Sequence, residues 1–282
     1  FIAICSSFSQ AHAESMKEDI NINSKAIDTE RITITANRKQ NIDTDLAMSV
    51  HGITKEELAL DNGQHVAESL NSISGVLIDQ LSGGQGHKAA IRMPMNTSGY
   101  YLYLQDNIPL QSSAFFNHNA LWWSSFNSNV ASMEVLKGAG TALYGSGAVA
   151  ATINILSEDV AEQPSTAFSV MLGENEYNKV QFSHSEKLSD TNGFRISTSY
   201  LSNDGWRDHT GSERAEINVR HEYEISSEER LVTSLVVSDL EQEMAASLSE
   251  DLYKNDKTNS GLSAEVLASD PLRKSQYLRL ST

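Results

Sequence analysis

Between residues 31 and 157 the apolar positions come in short runs whose period keeps changing. Arg31-Ile32-Thr33-Ile34-Thr35-Ala36 alternates β-branched and polar positions and predicts a short strand. Thr54-Lys55-Glu56-Glu57 is a capping box opening a helix that Gly63 stops, and a second short helix is predicted from about Gln64 to Asn71. Ala89–Met93 and Tyr101–Asp106 read as strands, the latter with Leu102 and Leu104 on one face. The turn residues Asn96-Thr97-Ser98-Gly99 lie between them. Val130–Leu136 and Thr152–Leu156 are further strands, flanking the glycine-rich Gly138-Ala139-Gly140 and Gly145-Ser146-Gly147. The mixture predicts one small α+β domain over residues 30–157.

From Ser165 onward the period settles at two. Strand-length segments at Thr166–Leu172, Lys179–Lys187, Phe194–Asn203, Ala215–Ile225, Leu231–Leu240 and Lys274–Leu280 are separated by polar turns. Phe194, Ile196, Thr198 and Tyr200 share one face, and Arg195, Ser197 and Ser199 the other. A membrane barrel with lipid outside and a wet lumen gives this pattern, and so does a soluble β-sandwich. Glu241–Asp270 reads as a solvent loop in either case.

The N-terminal residues carry a different signal. Apolar Phe1-Ile2-Ala3-Ile4-Cys5 runs through small polar residues to Ala11-His12-Ala13, the A-x-A end of a secretory signal peptide whose basic start is missing. Cleavage after Ala13 is expected, and residues 14–29, polar and aperiodic, form a flexible leader. Acylation at Cys5 is the weaker alternative, because bulky Ile4 precedes it.

Composition narrows the partners. With 21 Lys+Arg against 37 Asp+Glu the net charge is −16, which argues against nucleic acid. The charge divides as −3 over residues 1–30, −2 over 31–157 and −11 over 158–282. No run of 18 or more apolar residues exists, so a transmembrane helix is excluded while insertion by strands stays open. The single cysteine permits neither an internal disulfide nor a cysteine zinc site.

Motifs for catalysis fail on inspection. Leu81-Ser82-Gly83-Gly84-Gln85 matches the signature pentapeptide of ATP-binding-cassette ATPases, but no phosphate loop accompanies it, and Gly145 is followed by Ser146 rather than Lys. The eight histidines show no H-x-x-x-H or H-E-x-x-H spacing, and no G-x-S-x-G element occurs. The sequence therefore predicts no enzyme, no catalytic residue, no protein metal ligand and no cofactor.

One ordered series remains. Thr29-Glu30-Arg31-Ile32-Thr33-Ile34-Thr35-Ala36-Asn37-Arg38 resembles the energy-coupling box of TonB-dependent outer-membrane receptors. Ala67 to Val76 resembles the family's helix leading into "PGV", and Ile91-Arg92 followed by Tyr101 to Leu110 resembles "IRG…vlvDGvPl". Met133-Glu134-Val135-Leu136-Lys137-Gly138, with Ala142 to Ala148 and Ile153-Asn154-Ile155, resembles "RIEVlkGp…alYGsgAiGGvINI". Gly205-Trp206-Arg207-Asp208 resembles a turn early in the family's barrel. Departures are Ser74, Met93, Asn107, Ser132 and Ala150-Ala151; Asn107 is mild, since Asn tolerates a left-handed backbone.

The resemblance implies an α+β plug domain followed by the first strands of a transmembrane antiparallel β-barrel of about 22 strands. Residues 165–282 supply about six of these, so the chain reads as a fragment with a truncated barrel. It implies a cell outer-membrane location with the plug in the barrel lumen, in contact with lipid. It also implies an energy-transducing partner, TonB, which adds a strand to Arg31, Ile32, Thr33, Ile34, Thr35 and Ala36; the plain alternative is an ordinary first strand of the plug. If strands 89–93 and 101–106 pair antiparallel, Ser82–His87 and Gln111–Asn119 share one apical side. Gln85, His87, Phe115, Phe116, Asn117 and His118 are then the candidate ligand contacts, with aromatic area and orienting amides for an extracellular metal-chelate ligand. Phe115 and Phe116, with the nearby Trp122 and Trp123, could equally pack the plug against the barrel wall. The expected cargo is a ferric siderophore carried by active transport, with cobalamin as the competing cargo and a non-transporting binding or signalling protein as the alternative class.

Overall fold

The computed structural model describes residues 48–61, 63, 65–81, 86–110, 120–121, 123–124 and 129–282, together with the backbone of Ile32–Thr33 and Asn41–Ile42. The expected signal remnant and leader lie outside the described residues. The first two strands, β1 (Ile32–Thr33) and β2 (Asn41–Ile42), pair antiparallel with Ile32 opposite Ile42.

The plug is built on a five-stranded sheet. Its members are β3 (Ser49–Thr54), β6 (Tyr101–Gln105), β7 (Ile108–Pro109), β8 (Val130–Lys137) and β9 (Ala151–Ser157), in the order β3-β8-β9-β6-β7. All pairs are antiparallel except β6 with β9. The capping box forms as its sequence dictates: Thr54 N–H donates to Glu57 Oε2 at 2.8 Å and Glu57 N–H to Thr54 Oγ1 at 3.3 Å, opening α1 (Lys55–Asp61). The second helix, α2 (Val66–Asn71), buries Val66, Ala67 and Leu70 in a core with Ile53, Tyr101, Tyr103, Met133, Val135, Ile153 and Ile155. Leu102 and Leu104 point to the opposite face, where Ala148 and Tyr144, the last residue of the short helix α3 (Thr141–Tyr144), cover them.

One expected pairing does not occur. The strand placed at 89–93 is β5 (Gly86–Ala90), and its ladder is with β4 (Leu77–Leu81) rather than with β6. Two reasons are visible. The β4–β5 hairpin closes through a short local connection, and Arg92 takes φ 55°, which carries Ile91–Met93 out of any ladder. β6, buried along its whole length, takes an interior position between β9 and β7, and Ala89 forms an isolated bridge with Asn96, in the predicted turn, instead.

The remainder is a six-stranded antiparallel meander of β10 (Ser165–Leu172), β11 (Asn178–Ser189), β12 (Asn192–Asn203), β13 (Ser212–Glu224), β14 (Arg230–Glu243) and β15 (Leu272–Ser281). Its register decides between the two readings left open by the period of two. Phe168, Phe182, Thr198, Ile217, Val237 and Leu278 form one continuous cross-strand row, and Phe168 and Leu278 in it are 68% and 71% exposed. The neighbouring row, Ser183, Ser197, Asn218, Val236 and Arg279, is buried and mostly polar. A soluble sandwich would bury the apolar row, whereas a barrel wall turns it to lipid. Long connections, 204–211 and 244–271, gather at one end of the sheet, while 190–191 and 225–229 at the other are short, the asymmetry of a membrane barrel.

The Glu241–Asp270 loop is more ordered than its composition suggests. β14 runs on to Glu243, and the connection holds α4 (Glu250–Asn255) and α5 (Ala264–Ala268), N-capped by Ser249 and Ser263. Arg207 reaches in from 204–211 and donates to the carbonyls of Asn259 at 2.7 Å and Ser260 at 2.8 Å. Gly205 makes that turn possible: at φ 78° an added Cβ would lie 2.2 Å from Thr210 Oγ1.

Candidate functional site

The inward face of the wall meets the plug through polar side chains that the alternation aims into the lumen. Asp106 and Asn107 join β6 to β7, both at positive φ (54° and 65°), as a two-residue hairpin turn requires. Asp106 Oδ1 accepts from Ser157 N–H at 2.8 Å, Asp106 Oδ2 from Ser157 Oγ at 2.9 Å, and Asn107 exchanges hydrogen bonds with the Asn154 side chain at 3.1 and 3.2 Å. Arg279, on β15, closes onto this turn. Its Nη1 donates to the Gln105 carbonyl at 3.0 Å and its Nη2 to Asp106 Oδ2 at 3.2 Å, with the Arg279 side chain only 7% exposed.

Further ties surround it. Trp123 of the plug stacks on Tyr277 of β15, ring centroids 5.4 Å apart and 23° from parallel. Arg214 of β13 donates to the Ser124 carbonyl at 2.8 Å and pairs with Glu216. Where the chain leaves the plug, Glu158 pairs with Lys55 at 2.7 Å and stands 3.9 Å from Arg195. Val160 N–H then donates to Glu222 at 3.2 Å and Ala161 N–H to Ser185 Oγ at 2.8 Å. A cleft of about 390 Å³ lies beside these ties, between α1 and strands β10 to β12, lined by Leu58, Met171, Lys179 and Arg195 among others.

The predicted site residues fall unevenly on this frame. Of the box, Ile32 and Thr33 lie in β1, and Arg31, Ile34, Thr35 and Ala36 lie outside the described residues. Gln85, Phe115, Phe116, Asn117 and His118 also lie outside them. His87 sits in β5, 1% exposed, edge-on to Tyr103 at 5.1 Å; the structure places it inside the plug and not on an apical surface. The strand pairing that put the two loops on one side is replaced by the β4–β5 hairpin. Sequence reasoning did not single out Asp106, Ser124, Arg214, Tyr277 or Arg279. The signal was present for the last three, which occupy inward positions of strands whose period was legible.

A plug domain tied by polar contacts to the lumen face of an antiparallel wall, whose other face is apolar and exposed, defines the class of plugged outer-membrane barrels. Residues 42–152 match the model of the TonB-dependent Receptor Plug Domain. Over these residues the chain is a TonB-dependent receptor plug domain, and the antiparallel wall that follows it resembles part of the barrel wall of such receptors. Similar curated proteins include the vitamin B12 transporter BtuB of Vibrio vulnificus strain CMCP6, 25% identical over 178 residues, or 62% of this chain and 28% of the relative. BtuB of Vibrio cholerae strain M66-2 is 26% identical over 181 residues, 63% of this chain and 28% of that protein. Among solved structures the fold is shared with the unliganded ferric citrate transporter FecA, at TM-score 0.66, 18% identity, and coverage of 76% of this chain and 34% of that one. It is also shared with the ferripyoverdine receptor of the Pseudomonas aeruginosa outer membrane, at TM-score 0.64, 17% identity, and coverage of 75% and 28%. The chain thus spans about three-tenths of the length of the curated relatives it matches.

Proposed function

We propose that the full-length protein is an outer-membrane receptor that imports a large, scarce nutrient against its gradient, with TonB as the energy source and a ferric siderophore as cargo. The observation that carries this reading is the plug seated on the lumen wall by Asp106–Arg279, Ser124–Arg214 and Trp123–Tyr277, because a barrel closed in this way needs work to open. The solved structures similar in fold are a ferric citrate transporter and a ferripyoverdine receptor, and support the siderophore reading. Cobalamin is the second reading. It rests on a separate observation, that the curated relatives matched by sequence are vitamin B12 transporters.

In this reading Arg31 to Ala36 form the box to which TonB adds a strand, with main-chain hydrogen bonds for affinity and Ile32 and Ile34 for pocket contacts. Gln85 and Phe115 to His118 form the ligand contacts, while His87 is buried edge-on to Tyr103 inside the plug. Two variants test it in cells carrying the full-length gene, fed a panel of ferric siderophores and cobalamin. Ile34→Pro removes a ladder donor, so uptake is expected to fall to background with ligand binding unchanged; persistent uptake would count against the coupling role. Phe116→Ala with His118→Ala is expected to weaken binding at least tenfold, and unchanged affinity would assign those side chains to packing. Binding without uptake in the unaltered protein would identify a non-transporting receptor.

A further inference from the structure

The wall carries a second constellation, far from the plug, at the end of the sheet where the long connections gather. His209 lies in the 204–211 connection three residues ahead of β13, Glu243 ends β14, and Asp270 stands two residues ahead of β15. Since β14 pairs with both neighbours, the connections that carry His209 and Asp270 enter the sheet on either side of its end at Glu243. One ligand atom from each lies within 4.8 Å of the others, with His209 Nδ1 3.6 Å from Glu243 Oε1 and 3.9 Å from Asp270 Oδ1.

The remaining atoms of two of these groups are already engaged. His209 Nε2 stands 3.2 Å from the Pro271 carbonyl, and a carbonyl can only accept, so Nε2 carries the proton and Nδ1 faces the carboxylates. Glu243 Oε2 accepts from Gly211 N–H at 2.8 Å, which leaves Oε1 turned to the imidazole. Metal-ligating histidines and carboxylates are held in this way by a second ring of hydrogen bonds that fixes tautomer and orientation. The two Nδ1–oxygen distances are too long for hydrogen bonds. They are a few tenths of an ångström wider than the roughly 3.3 Å edge of a tetrahedral site with bonds of about 2.0–2.1 Å. The Glu243 and Asp270 side chains, 36% and 67% exposed, have room to rotate and close these differences. The His209 side chain, by contrast, is 7% exposed and already in place.

The surroundings favour a cation. A cleft of about 520 Å³ opens on Glu243 and Asp270, is also lined by Asp204, Glu213 and Glu241, the last paired with Lys274, and has no Lys or Arg among its described lining residues.

We propose that His209, Glu243 and Asp270 bind a divalent transition-metal ion of the zinc class, with water in the remaining position. An imidazole with two carboxylates suits such an ion, whereas calcium takes six to eight oxygens. The ion would clamp the 204–211 connection and the end of 244–271 to β14, fixing the base of the two longest connections of the sheet.

The test uses the untagged full-length receptor in detergent, stripped with chelator and titrated calorimetrically with ZnCl₂ and, separately, CaCl₂. The expected result is one saturable zinc site, weakened at least tenfold by His209→Ala and by Asp270→Asn. The second variant lies on an exposed side chain and leaves the fold intact, so its loss of affinity cannot be read as misfolding. Calcium is expected to leave the zinc isotherm unchanged. Absence of saturable zinc binding, equal affinity in either variant, or displacement by equimolar calcium would each overturn the proposal.

Discussion

Asp106 holds two structural partners at once, the Ser157 main chain and side chain on one side and the Arg279 guanidinium on the other. A hydrogen bond to a charged group is worth about 1.5–3 kcal/mol, and more is lost when the remaining partner stays buried. Arg279→Ala is therefore expected to raise amide exchange across the β6–β7 turn at least tenfold, with the wall strands unchanged, as native-state hydrogen exchange would read. A second residue links the plug to pH. His65 caps α2 by accepting from Ala67 N–H at 3.0 Å, and desolvation first, then the charge of Arg214, lowers its pKa from 6.5 to about 4. The unfolded chain takes up that proton first, so the contribution is complete above pH 6.5 and is lost as pH falls from 6.5 toward 4. Protection of the α2 amides is expected to decline over that window, and His65→Asn, which still caps, to remove the decline.

At the scale of elements, the wall strands were readable because period two survives any tertiary context that keeps one face in lipid. What the period could not say was which face is inward, and the buried Ser183, Ser197 and Asn218 against exposed Phe168 and Leu278 decide it. Ile217 sits near the middle of β13 on the outer row, where an arginine costs about 2–4 kcal/mol at the bilayer midplane. Ile217→Arg is expected to lose that amount in denaturant-induced unfolding from lipid vesicles, and an unchanged midpoint would place the row outside the membrane. The strand misread at 89–93 failed for an opposite reason. Ala89, Ile91 and Met93 alternate correctly, but pairing partners are chosen by chain closure, and the hairpin with Leu77–Leu81 forms across a shorter loop than the predicted one. Helices α4 and α5 were missed because each is a single short turn set by a serine cap rather than by periodicity.

For the whole molecule, the motif series pointed to a plug followed by antiparallel wall strands, and some motif residues do visible local work: Asn107 accepts positive φ, and Asn154 clasps it. The contacts between plug and wall were not legible, because they join residues far apart in the chain, 90 positions for Ser124 and Arg214 and 174 for Gln105 and Arg279. The acidic balance of the C-terminal part also gains a place. Glu213, Glu241, Glu243 and Asp270 crowd the end with long connections, while Arg195, Arg214 and Arg279 line the lumen.

The single clasp at Arg279 carries one more consequence. Inward positions on β15 recur every second residue, about 7 Å apart along the strand, and the neighbours of Arg279 in that series are Tyr277 and Ser281. Neither carries a charge to offer Asp106. A plug shifted by one such step along the barrel axis finds no cation on β15, so this strand indexes it at a single depth, as a detent holds a sliding bolt.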